Sequence, residues 1–237
     1  MLTNGYKSNG STKVLDIEHF ETEIDAFGDM HIGTSVDTPL RPDAFDLSDS
    51  EKMAIISKHF RVIMETLGLD LTDDSLNGTP DRVAKMYVKE IFQGLNPANK
   101  PKISLFENKY AYNQMLIEKN ISFHSHCEHH FVPIEGIASV AYISSGKVIG
   151  LSKINRIVQY YARRPQVQER LTEQIAAELK ITLQTNDIAV VIDARHMCVS
   201  TRGVQDHSSS TVTVHYSGKF LEEDTKNEFL KHCYHTS

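Results

Sequence analysis

The chain has 237 residues, 40% of them hydrophobic, and a net charge of -6 at neutral pH, which suits one sizeable soluble domain with an appendage. No apolar run approaches the roughly 18–20 residues that span a bilayer, and the opening stretch with Asn4, Lys7, Ser8, Asn9 and Ser11 lacks the apolar segment of a signal peptide, so a cytoplasmic protein without a membrane or nucleic-acid partner is expected. Three cysteines, two of them beside histidines, are too few for a disulfide framework and point to metal ligation or catalysis.

Charge divides unevenly along the chain. Residues 1–50 carry ten acidic and three basic side chains, whereas residues 51–237 carry 21 and 22, so the second part is nearly neutral and its local basic clusters can still receive an anion. Residues 1–46 show neither a helical nor an alternating period and are expected to be a mobile or loosely docked acidic arm. Residues 47–237 then form the folded domain, helical over 47–95 and catalytic over 96–237.

Ser48 and Glu51 carry a capping-box signature, followed by Met53, Ile56, Phe60, Ile63, Met64 and Leu67 at helical spacing up to Gly68. A second helix is predicted with Thr79 as its cap, Pro80 in its first position and an end near Gly94. Arg82, Lys85 and Lys89 share a face of that helix, and the pattern alone reads as a solvated charged face. Residues 96–119 read as a connection with a short strand or two. From Ile121 the character turns to β, with Ile137–Ile143 and Lys147–Leu151 expected as an antiparallel pair across Ser144-Ser145-Gly146. Ser152 is then expected to cap a helix ended by Pro165. Leu171, Ile175, Leu179 and Leu183 mark the next helix, Ile188–Ile192 and Ser210–Tyr216 two strands, and Thr225–His232 a closing helix. The order lacks a regular strand–helix alternation, so the fold class is α+β.

The chemistry concentrates in Cys127-Glu128-His129-His130 and His196-Met197-Cys198. Cys127 and His130, three apart, can converge on one ion from a tight turn. His196 and Cys198, two apart at the end of a predicted strand, would point to one face. Two thiolates and one imidazole from Cys127, His130 and Cys198 favour zinc with an open fourth position, leaving His129 and His196 as proton carriers. A closed structural site with His126, His129 or His196 as fourth ligand is the alternative. Ser152-Lys153-Ile154-Asn155-Arg156 at a helix start offers amides and two cations to a phosphate, unless it is a plain surface helix start. Arg202 can bring a guanidinium from the metal side. Glu169 can accept two N–H bonds from a planar amidine-like edge, such as guanine's, and Gln168 can donate and accept, although a helix-start glutamate can also serve the dipole alone.

These residues carry a resemblance. From about Thr79 to about Leu230 the chain resembles the zinc-dependent GTP cyclohydrolase I family, through Thr79-Pro80-Asp81-Arg82-Val83-Ala84-Lys85-Met86-Tyr87, Cys127-Glu128-His129-His130-Phe131, Gly150-Leu151-Ser152-Lys153-Ile154-Asn155-Arg156, Arg164-Pro165-Gln166-Val167-Gln168-Glu169-Arg170-Leu171 and His196-Met197-Cys198. The resemblance implies a T-fold, an antiparallel sheet flanked by helices, assembled into a toroidal homodecamer with sites at subunit interfaces. It implies Cys127, His130 and Cys198 as zinc ligands, and His129, His196 and Ser152 in proton transfer. Gln168 and Glu169 would hold guanine, and Lys153, Arg156, Arg202, Ser152 and, from neighbouring subunits, Lys85 and Arg82 the triphosphate. The implied reaction converts GTP to 7,8-dihydroneopterin triphosphate and formate through zinc-activated water at C8. Two competing readings are a zinc-stabilised interaction module and another T-fold pterin enzyme; Glu128 and Cys233 receive no role.

Overall fold

The computed structural model describes residues 35–234. The first helix, α1 (Asp49–Thr66), begins where expected: the Glu51 amide donates to Ser48 Oγ (3.3 Å) and the Ser48 amide to the Glu51 carboxylate (2.8 Å). It stops before Gly68, whose φ of +85° suits a residue without a Cβ. Helix α2 (Thr79–Met86) is capped by Gly78 rather than Thr79, because the Gly78 carbonyl accepts the first helical bond, from Arg82 N–H (3.1 Å), and Pro80 moves to the second position. It continues as a wider π turn over Tyr87–Ile91. Gly94 marks a crossing point, since a Cβ there would lie 2.0 Å from the Tyr160 carbonyl oxygen.

Strands β1 (Leu105–Glu107), β2 (Met115–Cys127), β3 (Pro133–Ile143), β4 (Lys147–Ile149), β5 (Pro165–Gln166), β6 (Ile188–His196) and β7 (Thr211–Tyr216) build two sheets. The larger runs β5-β2-β3-β6-β7, antiparallel except for the short parallel β2–β5 pair. Alternation sends Phe123, Val140, Tyr142, Val190 and Ile192 to one face, where they meet helices α3 (Leu151–Ala162) and α4 (Gln168–Leu183). The α4 stripe of Leu171, Ile175, Leu179 and Leu183 is at most 1% exposed, each side chain contributing roughly 1.5–3 kcal/mol of burial. On the opposite face Ala141, Ile143, Ala189 and Val191 meet Phe220 and Phe229, the latter from α6 (Glu223–Tyr234). The architecture is α+β, as expected.

Three local expectations change. The strand β4 pairs with β1, Ile149 opposite Leu105, not with β3, because β2 and β6 already take both edges of β3. Helix α3 is capped by Gly150, which sits in extended conformation, so Ser152 falls inside the first turn and makes no cap bond. Strand β6 ends at His196, and Cys198 sits on a single helical turn, α5 (Met197–Ser200), so strand alternation does not set its direction.

Of the acidic arm expected over 1–46, residues 1–34 lie outside the described residues. Just after them, Arg170 Nε donates to the Ser35 carbonyl and Gln174 Nε2 to that of Val36, both at 2.8 Å. Among the described residues no helix is long and apolar enough to cross a membrane.

Candidate active site

The metal turn is shaped by backbone bonds at the end of β2. Phe131 N–H donates to the Cys127 carbonyl (2.8 Å), Cys127 N–H donates to that of Val132 (2.9 Å), and Phe131 takes a φ of +56°. This reversal folds both histidines back over the thiol, with Cys127 Sγ 3.8 Å from His130 Nδ1 and 3.9 Å from His129 Nδ1. Pairing of β3 with β6 sets His196 opposite Ile134, and the α5 turn then carries Cys198 to the same place.

The candidate ligand atoms of Cys127, His130 and Cys198 all lie within 4.8 Å of one another, so the three could hold one metal ion. Their chemistry fits a cation. Burial and then the facing Cys127 push the Cys198 thiol up, a penalty on two opposed thiolates that a positive ion offsets. Burial, Arg202 and His129 hold the His130 imidazole below its ordinary value, toward the neutral form that a ligand needs.

Other expected residues gather around this group. Arg202 NH1 donates to His130 Nε2 (2.9 Å) while the rest of its side chain is exposed. His196 Nε2 meets Gln168 Oε1 at 2.7 Å. Burial lowers the His196 pKa, and the charge of the Glu169 carboxylate opposes that shift. Glu169 itself is exposed, whereas Gln168 is 2% exposed. His126, weighed as a fourth ligand, instead packs its ring against Phe92 with centroids 5.4 Å apart.

The basic residues of the predicted phosphate seat do not join the group. Helix α3 lies along β2: Asn155 bonds Glu118 (2.9 Å), Gln159 bonds the Ser122 carbonyl (2.6 Å), and Ser125 bonds the Arg164 carbonyl (3.3 Å). Ser152, Lys153 and Arg156 therefore sit beside the part of β2 near Glu118, and the nine residues from there to Cys127 span about 25–30 Å of extended chain. Arg82 turns to the Ser75 carbonyl (3.0 Å) and Thr79 Oγ1 (2.8 Å), Lys89 pairs with Asp49, and Lys85 is exposed.

One residue at the site escaped the sequence reading. Arg170, its side chain 3% exposed, grips the Glu128 carboxylate through both terminal nitrogens while its Nε holds Ser35. The signal was faint: Arg170 adjoins the apolar stripe of α4, but sequence spacing does not reveal which acid across the fold compensates it. Glu128, left without a role by the motif, thereby ties the metal turn to α4. Its other oxygen neighbourhood includes His129 Nε2 at 3.9 Å.

Comparison with known proteins identifies the family. The family model described as GTP cyclohydrolase I matches residues 56–234. The chain is 60% identical over 210 residues to the GTP cyclohydrolase 1 of Flavobacterium johnsoniae, covering 89% of this chain and 94% of the relative. It is 56% identical over 196 residues to that of Aeromonas salmonicida, covering 82% and 89%, and 51% identical over 208 residues to that of Salmonella arizonae, covering 87% and 94%. With its cysteine–histidine cluster on the matched segment, the chain belongs to the GTP cyclohydrolase I family.

Proposed function

We propose that this protein converts GTP to 7,8-dihydroneopterin triphosphate and formate, the first step of pteridine biosynthesis, with zinc held by Cys127, His130 and Cys198. The observation that supports the reading is the convergence of those three donors, with Arg202 bonded to His130 and His196 bonded to Gln168, in a chain of this family. When bound, zinc lowers the pKa of water toward neutrality and so supplies the nucleophile for C8 of guanine.

The protein's own groups do the rest. Glu169 and its neighbour Gln168 form the corner that receives the guanine edge, and the exposed Glu169 carboxylate accepts its N–H groups. His196 protonates N7, which makes C8 electrophilic, and His129 carries protons at the opening of the five-membered ring. Release of C8 as formate leaves an amine onto which the opened, rearranged ribose closes, and Ser152 serves these later proton transfers. The triphosphate is chemically unchanged, so its contacts with Lys153, Arg156, Arg202, Lys85 and Arg82 supply positioning energy.

The separation of the metal cluster from the first turn of α3 supports a composite site. On this reading Ser152, Lys153 and Arg156 reach a GTP bound at Cys127 from another copy of the chain, and the homodecameric ring that the family resemblance implies is the expected working form. The sheet offers the means. The outer edge of β7 has no partner strand among the described residues, and Val212 and Val214 are 49% and 47% exposed, the kind of edge that another sheet continues.

Zinc-loaded protein incubated with GTP should yield formate and, after oxidation, a fluorescent pterin; absence of both from a correctly assembled sample would reject the assignment. Composite sites have their own test. Lys153→Ala and Cys198→Ser should each be inactive alone and regain activity when co-assembled, because some sites then combine two intact halves. Mixed rings without activity would place both residues in one subunit's site.

A further inference from the structure

The Gln168 side chain is committed inside the fold in a way that fixes which atom is which. Its Nε2 lies 3.2 Å from the Ile192 carbonyl and 2.8 Å from the Thr211 carbonyl, both of which only accept, and 3.1 Å from Thr213 Oγ1. The hydroxyls continue the same order. Thr172 Oγ1 donates to the Gln168 carbonyl (2.9 Å) and so accepts from Thr213 Oγ1 (2.7 Å), leaving the Thr213 oxygen to accept from Gln168. With the amide nitrogen held there, Oε1 must face His196, and an amide oxygen only accepts. The His196 Nε2, at 2.7 Å, therefore carries the hydrogen, which puts the lone pair of the neutral ring on Nδ1. The ring's bond within the fold is made at Nε2, which leaves Nδ1 to the site.

From this geometry we infer that Gln168 is a positioning residue for His196: it locks the neutral ring in the Nε2–H tautomer and presents Nδ1 as the atom that first takes up a proton, giving the imidazolium, and then delivers it to the substrate. The inference rests on the reading of His196 as the proton carrier. It changes how Gln168 serves the guanine corner. A side chain that is 2% exposed, with both ends of its amide engaged, acts through the histidine, and the purine edge is left to Glu169. Three neighbouring elements share the task, since β6 carries His196, α4 carries Gln168, and β7 supplies Thr211 and Thr213.

The test uses zinc-loaded, assembled protein with 15N-labelled histidine, and His196→Gln identifies the signal. Wild type should show a protonated Nε2 and an unprotonated Nδ1 at His196, and Gln168→Met should show mixed tautomers. In the same variant kcat should fall about 10–100-fold, as for lost partners of active-site ligands. KM for GTP and the preference for GTP over ITP, which lacks the 2-amino group, should not change. A raised KM or a lost preference with kcat kept would overturn the inference and make Gln168 a direct reader of guanine; so would an unprotonated Nε2 in wild type. Should Gln168→Met not fold, Thr213→Val loosens the amide instead. It should lower kcat at constant KM, and an unchanged kcat would count against the proposal. Wild type that fails to turn over GTP would reject the activity reading alone, because the nitrogen signals report the tautomer without turnover.

Discussion

Cys198→Ser is expected to lose zinc and activity together while the subunit keeps its fold. The cysteine stands on a four-residue helical turn at the end of β6, partly exposed, and packs at the margin of the large core that Leu171, Ile175, Val190 and Ile192 fill, where serine replaces it with little change of volume. Serine offers a harder and far less acidic donor than a thiolate, so a soft site of two sulfurs and one imidazole becomes a weak one. Metal content per subunit, measured beside formate release and the far-ultraviolet spectrum, checks this. Unchanged zinc stoichiometry would remove Cys198 from the ligand set. Chelation of wild type adds a second reading of the same point. A catalytic ion leaves with activity lost and assembly largely kept, whereas loss of the fold on chelation would favour the zinc-stabilised interaction module.

Glu128→Ala is expected to destabilise the protein by about 3–5 kcal/mol, because it leaves the Arg170 guanidinium buried without its counter-charge. Arg170 is nearly inaccessible, and its partners among the described residues are the Glu128 carboxylate and the Ser35 carbonyl. The cost reflects an orphaned charge more than the worth of the pair, and this makes a distinctive prediction. Glu128→Ala combined with Arg170→Met should be less damaging than the sum of the two single changes, since no charge then remains to be solvated. Thermal unfolding of the four zinc-loaded proteins gives the cycle. Additive losses would mean that the pair is not coupled. The single variant should also blur the metal turn, since the Glu128 carboxylate, held by Arg170, ties the backbone between Cys127 and His129 to α4.

Much of the fold was legible because it is local. The Ser48–Glu51 box sets the start of α1 through bonds three residues apart, and the Leu171–Leu183 stripe repeats at the helical period, so both elements form as read. Boundaries that depend on one turn shifted, by one residue at Gly78 and by two at Gly150, where a glycine upstream of the expected residue is the cap. The partner of β4 was not legible. A turn sequence proposes a neighbour, but the edges of β3 were filled by β2, the strand just before it, and by β6 from far along the chain.

The candidate site divides in the same way. Residue types and spacing alone nominate Cys127, His130 and Cys198 as a soft, zinc-like donor set with histidines beside it, because the chemistry of a ligand is a property of its side chain. Only the tertiary structure decided what each neighbour does. Cys198 arrives on a helical turn and not on a strand face. Gln168 turns inward to His196, Glu128 is held by Arg170, and α3 takes Lys153 and Arg156 along β2 away from the metal turn. These outcomes depend on which segments pack together across tens of residues, and burial there fixes hydrogen-bond partners that no local pattern records.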